Sequence, residues 1–227
     1  MKIKFGALVV AGSGKIGGHV ASKNRSGAYL RTKVTPINPR TTSQVGARTR
    51  LGTLAIAWRG LTGAQRLLWN NAVASFSKTD IFGDLRNPSG FTLFQKLNNN
   101  LVNVGIAAID VPPLPIAVPS LISLLPTQAP AGATSIAYTA TPTPAGTVLI
   151  IKATAPLSPG KSFVKSEFRQ ISKLAAAAAS PYVATADYAA KFGGPGFAGQ
   201  KVFFEAHYIS IVTGQAGQPI QASCIVT

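Results

Sequence analysis

Val202-Phe-Phe-Glu-Ala-His-Tyr-Ile-Ser-Ile211 is rich in aromatic and β-branched residues, as a buried strand would be. The chain continues with Thr213-Gly-Gln-Ala-Gly217, and a second apolar run extends from Gln218 to Val226. Two such runs joined by a short glycine-containing segment are typical of an antiparallel hairpin. The sequence therefore predicts that the chain ends in β-structure.

A similar composition extends upstream to residue 121, in short runs of threonine, valine and isoleucine separated by proline or glycine. Short strands at such spacing predict a β-sandwich of about seven strands. The predicted strands are Leu121 to Leu125, Thr134 to Thr141, Thr147 to Ala155, Ser166 to Ser172, Lys201 to Val212 and Gln218 to Val226. The last hairpin resembles the closing strands of fibronectin type III and immunoglobulin-like modules, and this resemblance implies a module without catalytic activity.

A proline-rich segment precedes the predicted sandwich. Residues 109–120 contain Pro112, Pro113, Pro115 and Pro119, which cannot lie in a helix interior and favour a semi-rigid spacer. We therefore place a basic domain at residues 1–108, a linker at 109–120 and the sandwich domain at 121–227.

The first domain combines strands and helices. Glycine-broken apolar runs predict a small β-meander over residues 2–34, including a strand at Phe5 to Val10. Helix-start signals, among them the capping box Thr62-x-x-Gln65 and the cap Asn87-Pro-Ser89, then predict helices over about residues 42–59, 63–77 and 90–104. The predicted fold class is α+β, with an immunoglobulin- or fibronectin-like sandwich at the C-terminus.

Apolar side chains at helical spacing predict which face of each helix is buried. On the second helix these positions are Leu67, Leu68, Ala72, Val73 and Phe76, with Trp69 alongside. Trp58 and Trp69 are spaced as two aromatics that close a helical hairpin core, with stacking on nucleic-acid bases as the alternative.

Charge is distributed very unevenly. The chain carries a net charge of +16, and its first 79 residues contain thirteen lysines and arginines but no aspartate or glutamate. A surface without counter-charge indicates a partner that supplies it, such as phosphate, an acidic protein or anionic lipid. The candidate contact residues for an acidic partner or nucleic acid are Lys15, Lys23, Arg25, Arg31, Lys33, Arg40, Arg48, Arg50 and Arg59.

One motif suggests a cofactor. Gly12-Ser-Gly-Lys-Ile-Gly17 matches the glycine pattern of dinucleotide-binding folds, but no acid that could hold the ribose occurs before Asp80. We interpret it as a glycine-rich β-turn and expect no cofactor. We also expect no metal site and no enzymatic activity, because two histidines and six acids are scattered over the chain. Asp80 and Asp84 could ligate a cation, but a solvated loop or pairing with Arg86 is the preferred interpretation.

No run approaches the roughly 20 apolar residues that span a bilayer, so we expect no membrane span. The only cysteine, Cys224, is interpreted as a small buried hydrophobe.

The run Gly17-Gly-His-Val-Ala-Ser-Lys-Asn-Arg-Ser-Gly-Ala-Tyr-Leu-Arg31, with Pro36-Ile-Asn-Pro-Arg-Thr-Thr-Ser-Gln44 and Ala57-Trp-Arg-Gly-Leu-Thr62, resembles a group of uncharacterised bacteriophage and prophage proteins. The resemblance spans most of the first 105 residues. It implies a structural protein of the virion, associated with the capsid or tail and assembled in the cytoplasm of the bacterial host. Its partners would be further copies of itself, in a homo-oligomer, and other virion proteins.

Two alternatives stay open from the sequence. The basic domain could bind or condense phage DNA, with the candidate cations neutralising phosphates. The sandwich could instead serve as a surface- or glycan-binding module.

Overall fold

The computed structural model describes residues 1–4, 11–24, 27–130, 133–139, 143–194 and 196–227. Within these ranges the chain is a mixed α+β protein with a small N-terminal sheet, a helical cluster and two C-terminal sheets, as the sequence predicts. None of the helices within the described ranges has the length and apolar character that a bilayer crossing requires.

The N-terminal sheet is an antiparallel meander of β1 (Gly14–Ile16), β2 (His19–Asn24) and β3 (Gly27–Thr32). Gly17 and Gly18 form a two-residue turn between β1 and β2, with Ile16 paired to His19. Gly17 has a φ of +56°, which glycine adopts without steric cost. Gly14–Ile16 of the glycine motif thus forms strand β1, and the predicted β-turn is confirmed at the last residue of the motif, Gly17. The strand predicted at Phe5 to Val10 lies outside the described residues.

Three helices follow. They are α1 (Thr42–Gly60), α2 (Gly63–Ala72), which continues into a 3-10 turn at Val73–Phe76, and α3 (Gly90–Asn103). Thr41, Thr62 and Ser89 cap their N-termini, and the capping box between Thr62 and Gln65 is complete. Local side-chain hydrogen bonds therefore set the three helix starts where the sequence places them.

The helical core is built around Phe94 of α3. Trp58 and Trp69 each lie with ring centroids 5.3 Å from that of Phe94, so the two tryptophans meet through α3. Trp69 has no exposed surface, which excludes it from stacking on bases. Its indole Nε1–H donates to the backbone oxygen of Asp110 at 2.8 Å.

The predicted buried face of α2 is wrong at two positions. Leu67 and Leu68 are 59% and 47% exposed, whereas Trp69 is fully buried. Of the three residues, Trp69 has the largest apolar surface, so its burial is the most favourable. The backbone carbonyl of Asp110 accepts from the indole N–H, which burial would otherwise leave without a partner. Helical spacing alone cannot rank three consecutive apolar residues.

A short hairpin, β4 (Lys78–Thr79) and β5 (Leu85–Arg86), lies between α2 and α3. Its turn is held by Asp80, whose carboxylate accepts hydrogen bonds from the backbone N–H groups of Phe82 and Asp84.

Residues 123–225 contribute seven strands in two antiparallel sheets, which agrees with the predicted number, but the strand at Tyr182–Val183 lies in none of the predicted runs. The first sheet has the order β10-β7-β6 and the second the order β12-β11-β8-β9. The three-stranded and the four-stranded sheet enclose one hydrophobic core, as the two sheets of a β-sandwich do. The strands are β6 (Ser123–Gln128), β7 (Thr134–Thr139), β8 (Thr147–Ala153), β9 (Arg169–Leu174), β10 (Tyr182–Val183), β11 (Lys201–Ser210) and β12 (Ile220–Ile225).

The longest strand, β11, shows why the sandwich forms. Val202, Phe204, Ala206 and Tyr208 alternate along one face and are fully buried between the two sheets. A helix that the sequence analysis did not predict, α4 (Thr185–Phe192), follows β10 and adds Tyr188 to the same core.

The N-terminal and C-terminal parts are in contact. Asn100 at the end of α3 donates from Nδ2 to the backbone oxygen of Gly214 at 2.8 Å, and Asn103 donates to the side-chain oxygen of Gln170 at 3.0 Å. The proline-rich segment also packs on the sandwich, since the backbone N–H of Ile116 donates to Gln215 Oε1 at 2.8 Å. Two hydrophobic clusters nevertheless form, one around Phe94 and one within the sandwich. The domain limits at 108 and 121 stay a prediction.

Candidate anion-binding surfaces

Three of the predicted contact residues lie together on the meander. Lys15 pairs with Val20, and Val20 pairs with Arg31 on the next strand, so the three side chains share one face of the sheet. Lys33 follows Arg31 by two residues, and its backbone N–H donates to the oxygen of Gly18 at 2.8 Å. Strand geometry separates Lys15 from Arg31 by about 10 Å and Arg31 from Lys33 by about 7 Å. We call Lys15, Arg31 and Lys33 the meander cations.

An exposed arm continues directly from this sheet. This arm, residues 33–41 between β3 and α1, is exposed throughout and carries two apolar side chains, Val34 at 67% and Ile37 at 88% exposure. Arg40 also lies in the arm and has a φ of +50°. Cationic and apolar side chains therefore share one extended surface.

The remaining predicted contact residues are dispersed. Lys23 is exposed near the end of β2, and its neighbours across the strands place it on the sheet face opposite Lys15. Arg48 and Arg59 are exposed on α1, and Arg59 is tied back to the carbonyl of Ala55 at 3.3 Å. Arg25 lies outside the described residues. The predicted residues thus do not form one continuous patch.

Arg50 occupies a different site, which the sequence analysis did not predict. It lines a cleft of about 840 Å³ between α1, the end of α3, β9 and α4. Six cations line this cleft, namely Arg50, Lys152, Lys165, Arg169, Lys173 and Lys191. We call it the basic cleft.

Of the described residues, only two carboxylates line the basic cleft, and both have partners. Glu205 pairs with Lys152 at 2.7 Å and accepts from Gln221. Burial alone would raise the pKa of Glu205. The hydrogen bonds from Lys152 and Gln221 and the charge of Lys152 have the larger effect, so the pKa is lowered. Asp187 accepts from Ser172 Oγ at 2.6 Å and from the hydroxyl of Tyr182. The cleft therefore keeps a large excess of positive charge.

The hairpin at Asp80 holds a second cluster of charges. Lys2 and Arg86 both contact the carboxylate of Asp80, at 3.4 and 3.3 Å, and Arg86 also pairs with Asp84 at 3.2 Å. Burial alone would raise the pKa of Asp80, yet the hydrogen bonds from Phe82, Arg86, Asp84 and Lys2 lower it to about 2. The pairing of both aspartates with Arg86 is confirmed. These contacts stabilise the hairpin of β4 and β5.

The two histidines lie far apart in the fold. His19 is exposed on β2, whereas His207 is half-buried on β11, where burial and the charge of Lys152 lower its pKa. Among the described residues, no group of three or more histidine, cysteine, aspartate or glutamate side chains is placed to hold a metal ion.

Part of the basic cleft has a signal in the sequence. The C-terminal half has seven lysines and arginines, and five of them line the cleft. Three of these, Lys165, Arg169 and Lys173, recur at intervals of four residues, and Lys191 follows 18 residues later, a spacing that does not identify a binding face. Tertiary packing of α1 and α4 beside β9 is what brings them together.

Comparison of the chain with models of protein families, with curated proteins and with solved structures finds no significant match.

Proposed function

We propose that this chain is a non-enzymatic structural protein of a bacteriophage particle, associated with the capsid or tail, and that it docks on neighbouring proteins through its N-terminal part. The virion is then its location, after assembly in the cytoplasm of the host. The resemblance of residues 17–62 to phage and prophage proteins supports this proposal.

The observation that carries the proposal is the exposed arm beside the meander cations. Docking of the nine exposed residues of the arm against a neighbour would remove its two apolar side chains from water. Because Arg31, Lys33 and Arg40 flank Val34 and Ile37, the fitting neighbour is an acidic protein surface that also offers apolar contact.

The chain is poorly suited to supply that acidic surface itself, since it has six acids against 22 lysines and arginines. Contacts between copies would therefore use apolar and backbone groups, and the charge would come from another virion protein. A homo-oligomer within a mixed shell or tube satisfies both requirements.

Particle incorporation tests the proposal. Particles are purified from cells that express the tagged wild-type chain or the Val34→Ser/Ile37→Ser variant during phage growth. We expect the wild-type chain to co-sediment with particles, and the variant to do so several-fold less. Both residues are exposed, so the folded fraction should be equal. A wild-type chain that stays entirely in the soluble fraction would contradict the proposal.

A second candidate function, binding of phage DNA, is supported by the meander cations. Three neighbouring cations that contact phosphates give a slope of about −3 for log affinity against log salt. Fluorescence anisotropy with duplex DNA between about 50 and 200 mM salt measures this slope. Loss of about two units of slope in Lys15→Gln/Lys33→Gln would support this candidate, and no measurable binding at the lowest salt would exclude it.

A further inference from the structure

The basic cleft follows the free edge of a β-sheet. Among the described residues, strand β9 is the last strand of its sheet and pairs only with β8. All six residues from Phe168 to Lys173 line the cleft, although alternate side chains of a strand lie on opposite faces. A cavity can contact every successive residue only where it runs along the strand's edge.

The backbone of this edge is available. Within the described part of the chain, the main-chain groups of β9 make no hydrogen bonds other than those of the ladder with β8. On each side of the register shift at Ile171, where β9 has one residue more than β8, every second residue directs its N–H and C=O away from β8. Unpaired main-chain groups along an accessible edge are a template for one more strand.

Charges surround this edge on both sides. Arg169 and Lys173 belong to β9, Lys191 comes from α4 and Arg50 comes from α1 on the facing wall. In the described part of the chain, Lys165 and Lys191 make no ion pair or hydrogen bond. The Nε–H of Arg50 is buried without an acceptor in the same part of the chain.

We propose that the basic cleft binds an extended acidic peptide segment of a partner protein, which adds as a strand to β9 and places carboxylates against the surrounding cations. Main-chain hydrogen bonds to β9 supply affinity, and the cations select an acidic sequence. The six residues of β9 accommodate a segment of about 20 Å.

The charges also determine which strands are rejected. Positively charged side chains on an edge prevent pairing with another copy of the same edge, because like charges would face each other. Two β9 edges would bring Arg169 and Lys173 of each copy together. The edge is thus closed to self-association and open to an acidic strand.

An acidic peptide fits this cleft better than nucleic acid does. Phe168 is the only aromatic residue among those lining it, so successive bases would have no stacking platform. A peptide backbone can also donate N–H groups to the carbonyls of the β9 edge, whereas a phosphodiester backbone has no such donors.

The inference does not rest on the proposed virion role, since peptide binding and particle incorporation are separate measurements. The full-length chain is titrated with a fluorescent ten-residue peptide that alternates glutamate and valine. We expect saturable binding that weakens with salt, and no comparable binding of a lysine–valine peptide of equal length.

Two further probes locate and define the interaction. Lys165→Gln/Lys191→Gln should weaken binding about fivefold or more, at about two- to threefold for each exposed pair lost. Arg66→Gln/Lys78→Gln, which removes the same charge outside the cleft, should leave it within about twofold. The acidic peptide with alternate backbone nitrogens methylated should bind at least about tenfold more weakly, because it cannot donate to β9.

Each opposite result would overturn the proposal. Equal binding of the methylated peptide would exclude strand addition, and equal loss in the two double variants would exclude the cleft. Tighter binding of single-stranded DNA at the same cleft, with the same dependence on Lys165 and Lys191, would assign it to nucleic acid.

Discussion

Asn100 Nδ2 donates to the backbone oxygen of Gly214 at 2.8 Å, and this hydrogen bond joins the last turn of α3 to the loop between β11 and β12. At this point a loop of the sandwich lies directly on a helix of the N-terminal part. A Cβ atom on Gly214 would lie 2.2 Å from the backbone oxygen of Leu97 and 3.1 Å from Leu101 Cγ. The contact therefore requires a residue without a side chain.

Gly214→Ala should destabilise the contact between the N-terminal and C-terminal parts of the chain. Gly214 has a φ of +69°, which disfavours alanine by roughly 1–2 kcal/mol, and the contact with Leu97 adds a similar amount. We expect a loss of at least about 2 kcal/mol in the free energy of unfolding by urea. Gly160→Ala is the matched control, because no atom lies within 4 Å of its Cβ position. Equal stability of the two variants would show that the close contact at Gly214 is absent.

Asn98, which lies inside α3, should be essential for the stability of the fold. It is fully buried, its Oδ1 accepts from the backbone N–H of Ile109 at 2.7 Å, and its Nδ2 donates to the backbone oxygen of Ile109 at 3.1 Å. Asn98→Ala leaves both main-chain groups without a partner, so we expect a loss of about 2–3 kcal/mol in urea unfolding. Within the described residues the neighbouring half-buried Asn99 makes no such bonds, and Asn99→Ala should change stability by less than about 0.5 kcal/mol. A loss of equal size in both variants would contradict this role.

These two contacts show where prediction from sequence succeeds and where it stops. Helix caps and runs of aromatic and β-branched residues are local signals, which is why the cap at Ser89 and the strand β11 are predicted well. The partners of Asn98, Asn100 and Trp69 are backbone groups distant in sequence, and no residue pattern marks a carbonyl as an acceptor.

Strand β10, helix α4 and the basic cleft were not predicted because their local sequence signals are weak. Strand β10 has two residues, Tyr182 and Val183, too few to show alternation. Helix α4 has weak signals, with Asp187 in its first turn, Lys191 in its last and Gly193 after it at a φ of +82°. Because the cleft depends on where α4 packs beside β9, its cations could be counted from the sequence but not grouped.

The cluster at Asp80 should make stability depend on acid. The pKa of Asp80 is lowered to about 2 from its ordinary value of 3.8, so its contacts stabilise the fold above about pH 4 and are lost as the pH falls through 2. Thermal midpoints should therefore differ between wild type and Asp80→Asn at neutral pH and converge near pH 2. Asp110→Asn, outside the cluster, is the control. A difference between wild type and Asp80→Asn that is constant from neutral pH to pH 2 would rule out this assignment.

Cys224 should be unreactive in the folded chain. It is half-buried, and burial raises the pKa of its thiol to about 11. At pH 8 its thiolate population is then more than about 100-fold below that of an ordinary cysteine with a pKa of about 8.5. Reaction with a disulfide reagent should be slower by at least this factor and should reach the ordinary rate in urea. Rapid labelling of the native chain would disprove burial of the thiol.

The virion role is tested most directly by absolute quantification of this chain, by mass spectrometry with isotope-labelled peptides, in purified particles of the phage that encodes it. We predict the intact chain at a fixed stoichiometric ratio to the other particle proteins, unchanged by nuclease treatment and further purification. Its absence from purified particles, together with its abundance in the lysate, would contradict the account.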